Sequence, residues 1–156
     1  MSRTTRATQM LTKAGISFTT VTYDYDPNAD RIGLQAAEAI GEAPHLVLKT
    51  LMAELDGKPI CVVVPSDREV SMKKLAAALG AKSAEMAAVP DAERITGYRV
   101  GGVSPFGQKK RLPTVFDAAS AERAKVFVNG GQRGLQVRIA PADLVRVLGA
   151  TVAAVS

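Results

Sequence analysis

The chain has no tryptophan, one cysteine and one histidine in 156 residues. A single cysteine, Cys61, excludes an internal disulfide, and its place in the apolar run Ile60-Cys61-Val62-Val63-Val64 reads as a buried core thiol rather than a nucleophile. One histidine and one cysteine cannot furnish the usual zinc-ligand set, and nothing marks a Ser-His-Asp arrangement. His45, just after Pro44 in an expected loop, reads as a surface residue, and no metal site is expected. Asp24 and Asp26 would be same-face strand neighbours, but Pro27 and Asn28 after them favour a solvated acidic turn over a metal or acid/base pair. No apolar stretch approaches the roughly 18 residues of a membrane span, and no charged segment precedes an apolar run at the N-terminus. A cytosolic protein without a membrane partner is expected. The glycine-rich segments match neither GxGxxG nor GxxxxGK(S/T), so nucleotide cofactors of those kinds are unsupported, and no cofactor is expected.

What is present is glycine and positive charge, close together. Gly97 to Thr114, GYRVGGVSPFGQKKRLPT, holds four glycines, two prolines and four cations with no Asp or Glu. Asn129-Gly130-Gly131-Gln132-Arg133-Gly134 repeats the combination. Glycine lets main-chain N–H groups approach a ligand closely, and a run such as Lys109-Lys110-Arg111 attracts phosphate. The formal charge of +5 is polarised, because Asp24, Asp26, Asp30, Glu38 and Glu42 make another segment acidic. An anionic partner is expected, with Lys109, Lys110, Arg111 and Arg133 contacting its phosphates or else forming a solvated basic face.

The length suits one domain spanning 1–156, with no interdomain linker. Hydrophobic residues at 47% and charged residues at 22% are ordinary globular usage, so a packed core is expected. Apolar-periodic segments ending at Gly15, Gly41, Gly80 and Gly149 predict helices near 4–14, 34–40, 71–79 and 141–148, with Ser71 as an N-cap and a further short helix from Pro90. Strands are predicted at 16–23, 46–55, 59–64, 98–103, 114–117, 125–129 and 135–139. Asp56-Gly57 signals a two-residue hairpin. The alternation slips at Thr19-Thr20, predicting a bulge that puts Tyr23 on the face of Phe18. Leu135, Val137 and Ile139 alternate with Gln136 and Arg138, which point the other way. Hairpins mixed with longer crossings give an α+β fold with a curved mixed sheet flanked by helices.

Lys49 is the one charged residue between Pro44 and Ala53, on the strand face of Val47 and Leu51. It reads either as an edge-strand lysine that discourages aggregation or as a cation at a pocket floor, facing phosphate or carbonyl oxygen. Gly101-Gly102-Val103-Ser104-Pro105 reads either as a structural turn or as a set of backbone donors to an oxyanion, supplemented by the Ser104 hydroxyl. Without a protein nucleophile, base or metal, any reaction relies on positioning, oxyanion stabilisation or the substrate's own groups.

The long glycine motif resembles that of the YbaK/EbsC family of free-standing aminoacyl-tRNA deacylases, related to the editing domain of bacterial prolyl-tRNA synthetases. The likeness extends through Ile16-Ser17-Phe18, Tyr23, Lys49-Thr50-Leu51, Lys73-Lys74-Leu75, Leu79-Gly80-Ala81-Lys82, Glu85-Met86-Ala87 and Gly130-Gly131-x-Arg133-Gly134-Leu135. The resemblance implies the family's barrel-like fold and hydrolysis of cysteine misattached to proline tRNA, or of cysteinyl-tRNA(Cys), alongside prolyl-tRNA synthetase. It also implies a mechanism in which the substrate thiol attacks its own ester and leaves as a cyclic thioester. Carried over by motif, Lys49, Gly101 and Gly102 would act at the ester, and Tyr23 would line the pocket with Ser104, Pro105, Gly130 and Gly131. Three positions depart from the family pattern: Ile32 before Gly33 where an aromatic is common, Asn129 before Gly130-Gly131 where Ser is common, and Gln136 where some members carry Asp. These bear on amino-acid specificity, so editing of alanyl- or seryl-tRNA and a non-catalytic tRNA-binding module stand as alternatives.

Overall fold

The computed structural model describes residues 4–28 and 32–156. The chain begins with α1 (Arg6–Lys13), whose N-terminus is closed reciprocally by Thr5 and Thr8: each side chain accepts the other's main-chain N–H, at 3.1 and 2.9 Å. Ala7 and Leu11 on its buried face enter the core. After β1 (Thr19–Thr22) and α2 (Ile32–Ile40), a 3-10 turn at Pro44–Leu46 leads into the hairpin of β2 (Leu48–Leu55) and β3 (Lys58–Pro65). Asp56 and Gly57 make its loop with φ of 49° and 82°, the left-handed pair that a two-residue loop between twisted strands requires. α3 (Met72–Ala78) is capped by Ser71, whose hydroxyl accepts the Lys74 N–H at 3.2 Å. β4 (Ala84–Met86) and α4 (Val89–Thr96) precede a long irregular segment, and β5 (Thr114–Asp117), α5 (Ala118–Ala121), β6 (Val126–Asn129), β7 (Leu135–Ile139), α6 (Pro141–Leu148) and β8 (Thr151–Ala153) complete the fold.

The strands form two sheets rather than the single sheet expected. One is antiparallel, ordered β1-β7-β6; the other is mixed, ordered β4-β2-β3-β5-β8, with β5 parallel to both β3 and β8. A parallel bridge between Val47 and Phe127 ties them together, and the described strands close no barrel. Met52, Cys61, Val63 and Phe116 of the mixed sheet share one apolar cluster with Val126, Val128, Val137 and Ile139 of the antiparallel sheet. Val62, Val64 and Val115 on the mixed sheet's opposite face pack with Leu75 and Val155. β3 is thus buried on both faces, which is why its sequence is a continuous apolar run rather than an alternation.

Three local expectations are corrected. The segment 98–103 is no strand: the Gly102 N–H donates to Arg99 O at 2.8 Å with Gly101 at φ 85°, closing a turn. β1 starts at Thr19 because Gly15 and Ile16 are used in closing α1, where the Ile16 N–H donates to Leu11 O. The bulge at Thr19-Thr20 is absent, since Thr19, Thr20, Val21 and Thr22 pair in unbroken register with Arg138, Val137, Gln136 and Leu135. Phe18 therefore packs on the main core, whereas Val21 and Tyr23 pack with Ala36, Ala37, Val47 and Phe127.

Candidate functional site

A pocket of about 360 Å³ opens where the two sheets meet. Lys49 and Leu51 of β2, with Val47 just before it, form its floor, flanked by Leu48 and Thr50. Leu34 and Ala36 of α2 form one wall, Asn129 and Gln136 of the antiparallel sheet with Tyr23 just after β1 another, and Val100, Gly101 and Val103 a third, with Ser66 and Glu69 just beyond β3. Lys49 stands opposite Val64 in the β2–β3 ladder and meets no hydrogen-bond or ion-pair partner among the described residues. A half-buried ammonium among apolar neighbours is a ready counter-charge for an anionic oxygen.

The polar groups around it are few and oriented. Burial pushes the Tyr23 phenol above its usual value, with the Gln136 side chain and then the Gly134 main chain partly opposing that rise. Tyr23 is held by its own N–H, which donates to Gly134 O at 2.9 Å. Gln136 is 3% exposed: it points away from Leu135, Val137 and Ile139, as the alternation predicts, but into the pocket wall rather than into water. Its Oε1 and the Thr50 Oγ1 are buried without hydrogen-bond partners. The Ser66 hydroxyl is committed to Val47 O.

The glycine segments are pinned together by side chains. Arg133 Nε donates to Val100 O at 2.9 Å, and Asn129 Nδ2 donates to Gly101 O at 3.1 Å. Asn129 Oδ1 accepts the N–H groups of Gly131 and Gln132 at 2.7 and 3.2 Å, which fixes the amide. The Arg133 guanidinium lies 5.0 Å from the centroid of the Tyr25 ring, and the Tyr25 hydroxyl sits against Gly101. Gly101 has no room for a side chain and a φ that disfavours one.

The structure brings Lys49, Tyr23, Gly101, Asn129 and Gln136 to one pocket. Other expectations change. The Gly102 N–H is spent in the turn to Arg99, so Gly101 alone of the pair keeps a free donor; a Cβ on Gly102 would lie 2.8 Å from the Arg133 nitrogen. Ser104 is fully buried, its hydroxyl accepting the Phe106 N–H at 3.1 Å, and it does not line the pocket. Pro105 borders a separate small groove with Met10, Lys110, Arg111 and Leu148. Gly130 and Gly131 lie behind the wall, packed on Leu135 and on Tyr98 and Ala7. Lys109, Lys110 and Arg111 are exposed outside the pocket lining, whereas Arg133 is engaged by Val100 and Tyr25 instead of standing with them. Ile32 and Gly33 open α2, and their side chains lie outside the described residues. Asp26 belongs to a turn, accepting the Asn28 N–H at 2.9 Å, while Gln35 bonds its main chain. Thr50, Leu34, Ala36, Ser66, Glu69 and Tyr25 were not anticipated. Thr50 had a signal, being a lone hydroxyl beside Lys49, and the others join through tertiary contact alone.

Comparison with known proteins places this geometry. The chain matches the aminoacyl-tRNA editing domain family over residues 26–147. It is 35% identical over 121 residues to a candidate Cys-tRNA(Pro)/Cys-tRNA(Cys) deacylase, EbsC, of Enterococcus faecalis, covering 76% of this chain and 74% of that one. It is 36% identical over 92 residues to a proline–tRNA ligase of Geobacter metallireducens, covering 59% of this chain but 16% of the ligase. Among solved structures, the hypothetical protein APE2540 superposes with a TM-score of 0.86 at 25% identity over 97% of this chain and 99% of that one. A candidate trans-editing enzyme for prolyl-tRNA synthetase superposes with a TM-score of 0.81 at 22% identity over 99% of both, a likeness of fold.

Proposed function

The chain belongs to the aminoacyl-tRNA editing domain family, and on that premise we propose that it is a single-domain deacylase that removes cysteine from mischarged cysteinyl-tRNA(Pro), and from cysteinyl-tRNA(Cys) when tRNA selection is absent. The observation that carries the reading is the pocket itself: a cavity of about 360 Å³ whose described lining holds an unpaired cation, Lys49, and a free main-chain donor at Gly101, with no cysteine, histidine or uncommitted serine. Lys49 holds an anionic oxygen of the tRNA 3′ end, and the Gly101 N–H faces the ester oxygen that gains charge. The substrate thiol loses its proton to solvent and, as thiolate, attacks its own ester carbonyl; a carbon–sulfur bond forms, the bond to the ribose oxygen breaks, and that oxygen takes up a proton from solvent. The products are uncharged tRNA and a cyclic thioester, which water opens to cysteine. Such a path needs no nucleophile from the protein.

Selection of proline tRNA is assigned to prolyl-tRNA synthetase as a cytosolic partner, and the exposed Lys109, Lys110 and Arg111 supply general attraction to RNA phosphate. The unpartnered oxygens of Thr50 and Gln136 favour a second reading, a hydroxyl-bearing or other small aminoacyl group as the preferred substrate. Deacylation of cysteinyl-, seryl- and alanyl-tRNA by the purified protein decides between them. Cysteinyl-tRNA is cleaved far faster than seryl-tRNA if the thiol is the nucleophile, and the cyclic thioester is trapped; equal rates point to an activated water. Binding of charged tRNA without cleavage of any of the three would refute an enzyme.

A further inference from the structure

The Arg99-Val100-Gly101-Gly102 turn adopts one of the two geometries its backbone permits, and in it the Val100 carbonyl accepts from a side chain far away in sequence. The Gly102 N–H donates to Arg99 O, and Gly101, third in the turn, has φ 85°, the signature of a type II turn. Rotating the central Val100–Gly101 peptide by about half a turn converts type II to type I, leaving the closing hydrogen bond in place. Glycine at the third position makes that flip inexpensive, because it accepts either sign of φ. The two states present opposite chemistry at the pocket wall. In a trans peptide the carbonyl and the following N–H point in opposite directions, and no cis bond occurs among the described residues. With Val100 O drawn to Arg133 Nε, the Gly101 N–H is turned the other way, and it donates to no group among the described residues. The flipped peptide would aim a carbonyl oxygen where an oxyanion has to be stabilised.

We infer that Arg133 is a positioning residue for the deacylation step, holding the Val100–Gly101 peptide so that the Gly101 N–H, and not the Val100 carbonyl, serves the pocket. Three further contacts make its grip directional. The guanidinium plane rests on the Tyr25 ring, whose hydroxyl closes the space against Gly101. Gly102 packs on the main chain of Arg133 itself. Asn129, fixed by two N–H donors of its own loop, holds the next carbonyl, that of Gly101. A lysine offers no planar donor at the Nε position and cannot stack in the same way, so charge alone does not replace this residue. The catalytic part of the inference rests on the editing reading; the control of the turn does not.

The test uses Arg133→Ala and Arg133→Lys in the full chain with three readouts: single-turnover cleavage of cysteinyl-tRNA, the salt dependence of tRNA binding, and the NMR position and hydrogen exchange of the Gly101 amide. Both variants are expected to slow cleavage at saturating protein by roughly tenfold or more, with the salt slope unchanged and the Gly101 resonance displaced or doubled. Added guanidinium restores part of the rate to Arg133→Ala. A wild-type rate for Arg133→Lys, or a shallower salt slope with the Gly101 amide unmoved, overturns the inference and makes Arg133 a phosphate contact. If Arg133→Ala fails to fold, Arg133→Lys decides. If the wild-type protein cleaves no charged tRNA, the editing reading fails, while the amide comparison still tests the turn.

Discussion

Replacing Gly101 by alanine separates a structural glycine from a functional one. Two costs add up at this position. An L-residue pays about 1–2 kcal/mol for a left-handed backbone, and φ here is 85°. The new Cβ would also stand 2.8 and 2.9 Å from the Cζ and Cε1 atoms of Tyr25, well inside van der Waals contact, so the ring must move off the Arg133 guanidinium and lose a stack of about 0.5–1 kcal/mol. The state seen in the structure is therefore disfavoured by about 1.5–3 kcal/mol, enough to let the turn flip to negative φ instead. Either displacement removes the main-chain donor, for which a loss on the order of 10²–10³-fold in the cleavage step is expected. Gly41→Ala is the matched control: its φ is 72°, but nothing lies within 4 Å of a Cβ there, so it carries the backbone cost without a collision and without a place in the pocket. Urea unfolding and single-turnover deacylation, measured on both variants, give the two terms separately. If Gly101→Ala loses no more rate than Gly41→Ala, the donor assignment is wrong and the glycine serves the fold only.

Lys49→Ala should lower deacylation on the order of 10²-fold with the melting curve unmoved, because the ammonium has no partner among the described residues to lose; a variant as active as wild type would return Lys49 to the role of a solubilising strand residue. Lys110→Gln with Arg111→Gln should lower the salt slope of tRNA binding by about 1.4–1.8, and an unchanged slope would make these exposed cations a solvated face only. Burial pushes the Cys61 thiol up to about 12 from an ordinary value near 9. The folded state thus holds the proton more tightly than the unfolded chain, so the associated stability is fully present below about pH 9 and is lost between there and about 12, at up to about 1.4 kcal/mol per pH unit. Urea midpoints that fall across that window in the wild type, but not in Cys61→Ala, would bear this out; identical slopes would assign the alkaline loss to other groups.

Local rules were enough wherever the determining contacts are local. Asp56-Gly57 announces the β2–β3 hairpin because two left-handed residues are what its loop geometry needs, and Ser71 announces α3 because its hydroxyl reaches a donor three residues on. Lys49 stood out for the same kind of reason, a lone charge in an apolar strand whose alternation already puts it with Val47 and Leu51. The site as a whole was not legible in this way. Residues 98–103 carry enough apolar character to read as a strand, and the bonds that make them a turn include two from Asn129 and Arg133, which no periodicity connects to them. The basic residues look alike in sequence, yet Arg133 is half-buried and engaged by Val100 and Tyr25 while Lys109, Lys110 and Arg111 remain exposed. Gln136 was assigned to the face away from the core, and whether that face meets water or a pocket depends on α2 and on the Val47–Phe127 bridge joining two sheets. Sequence thus determined most of the helices and the longer strands, the family and the charged residue at the pocket floor, but not the short strands β4 and β8. Tertiary structure decided which main-chain groups face the cavity, because a peptide's orientation next to glycine is set by whichever distant donor captures its carbonyl.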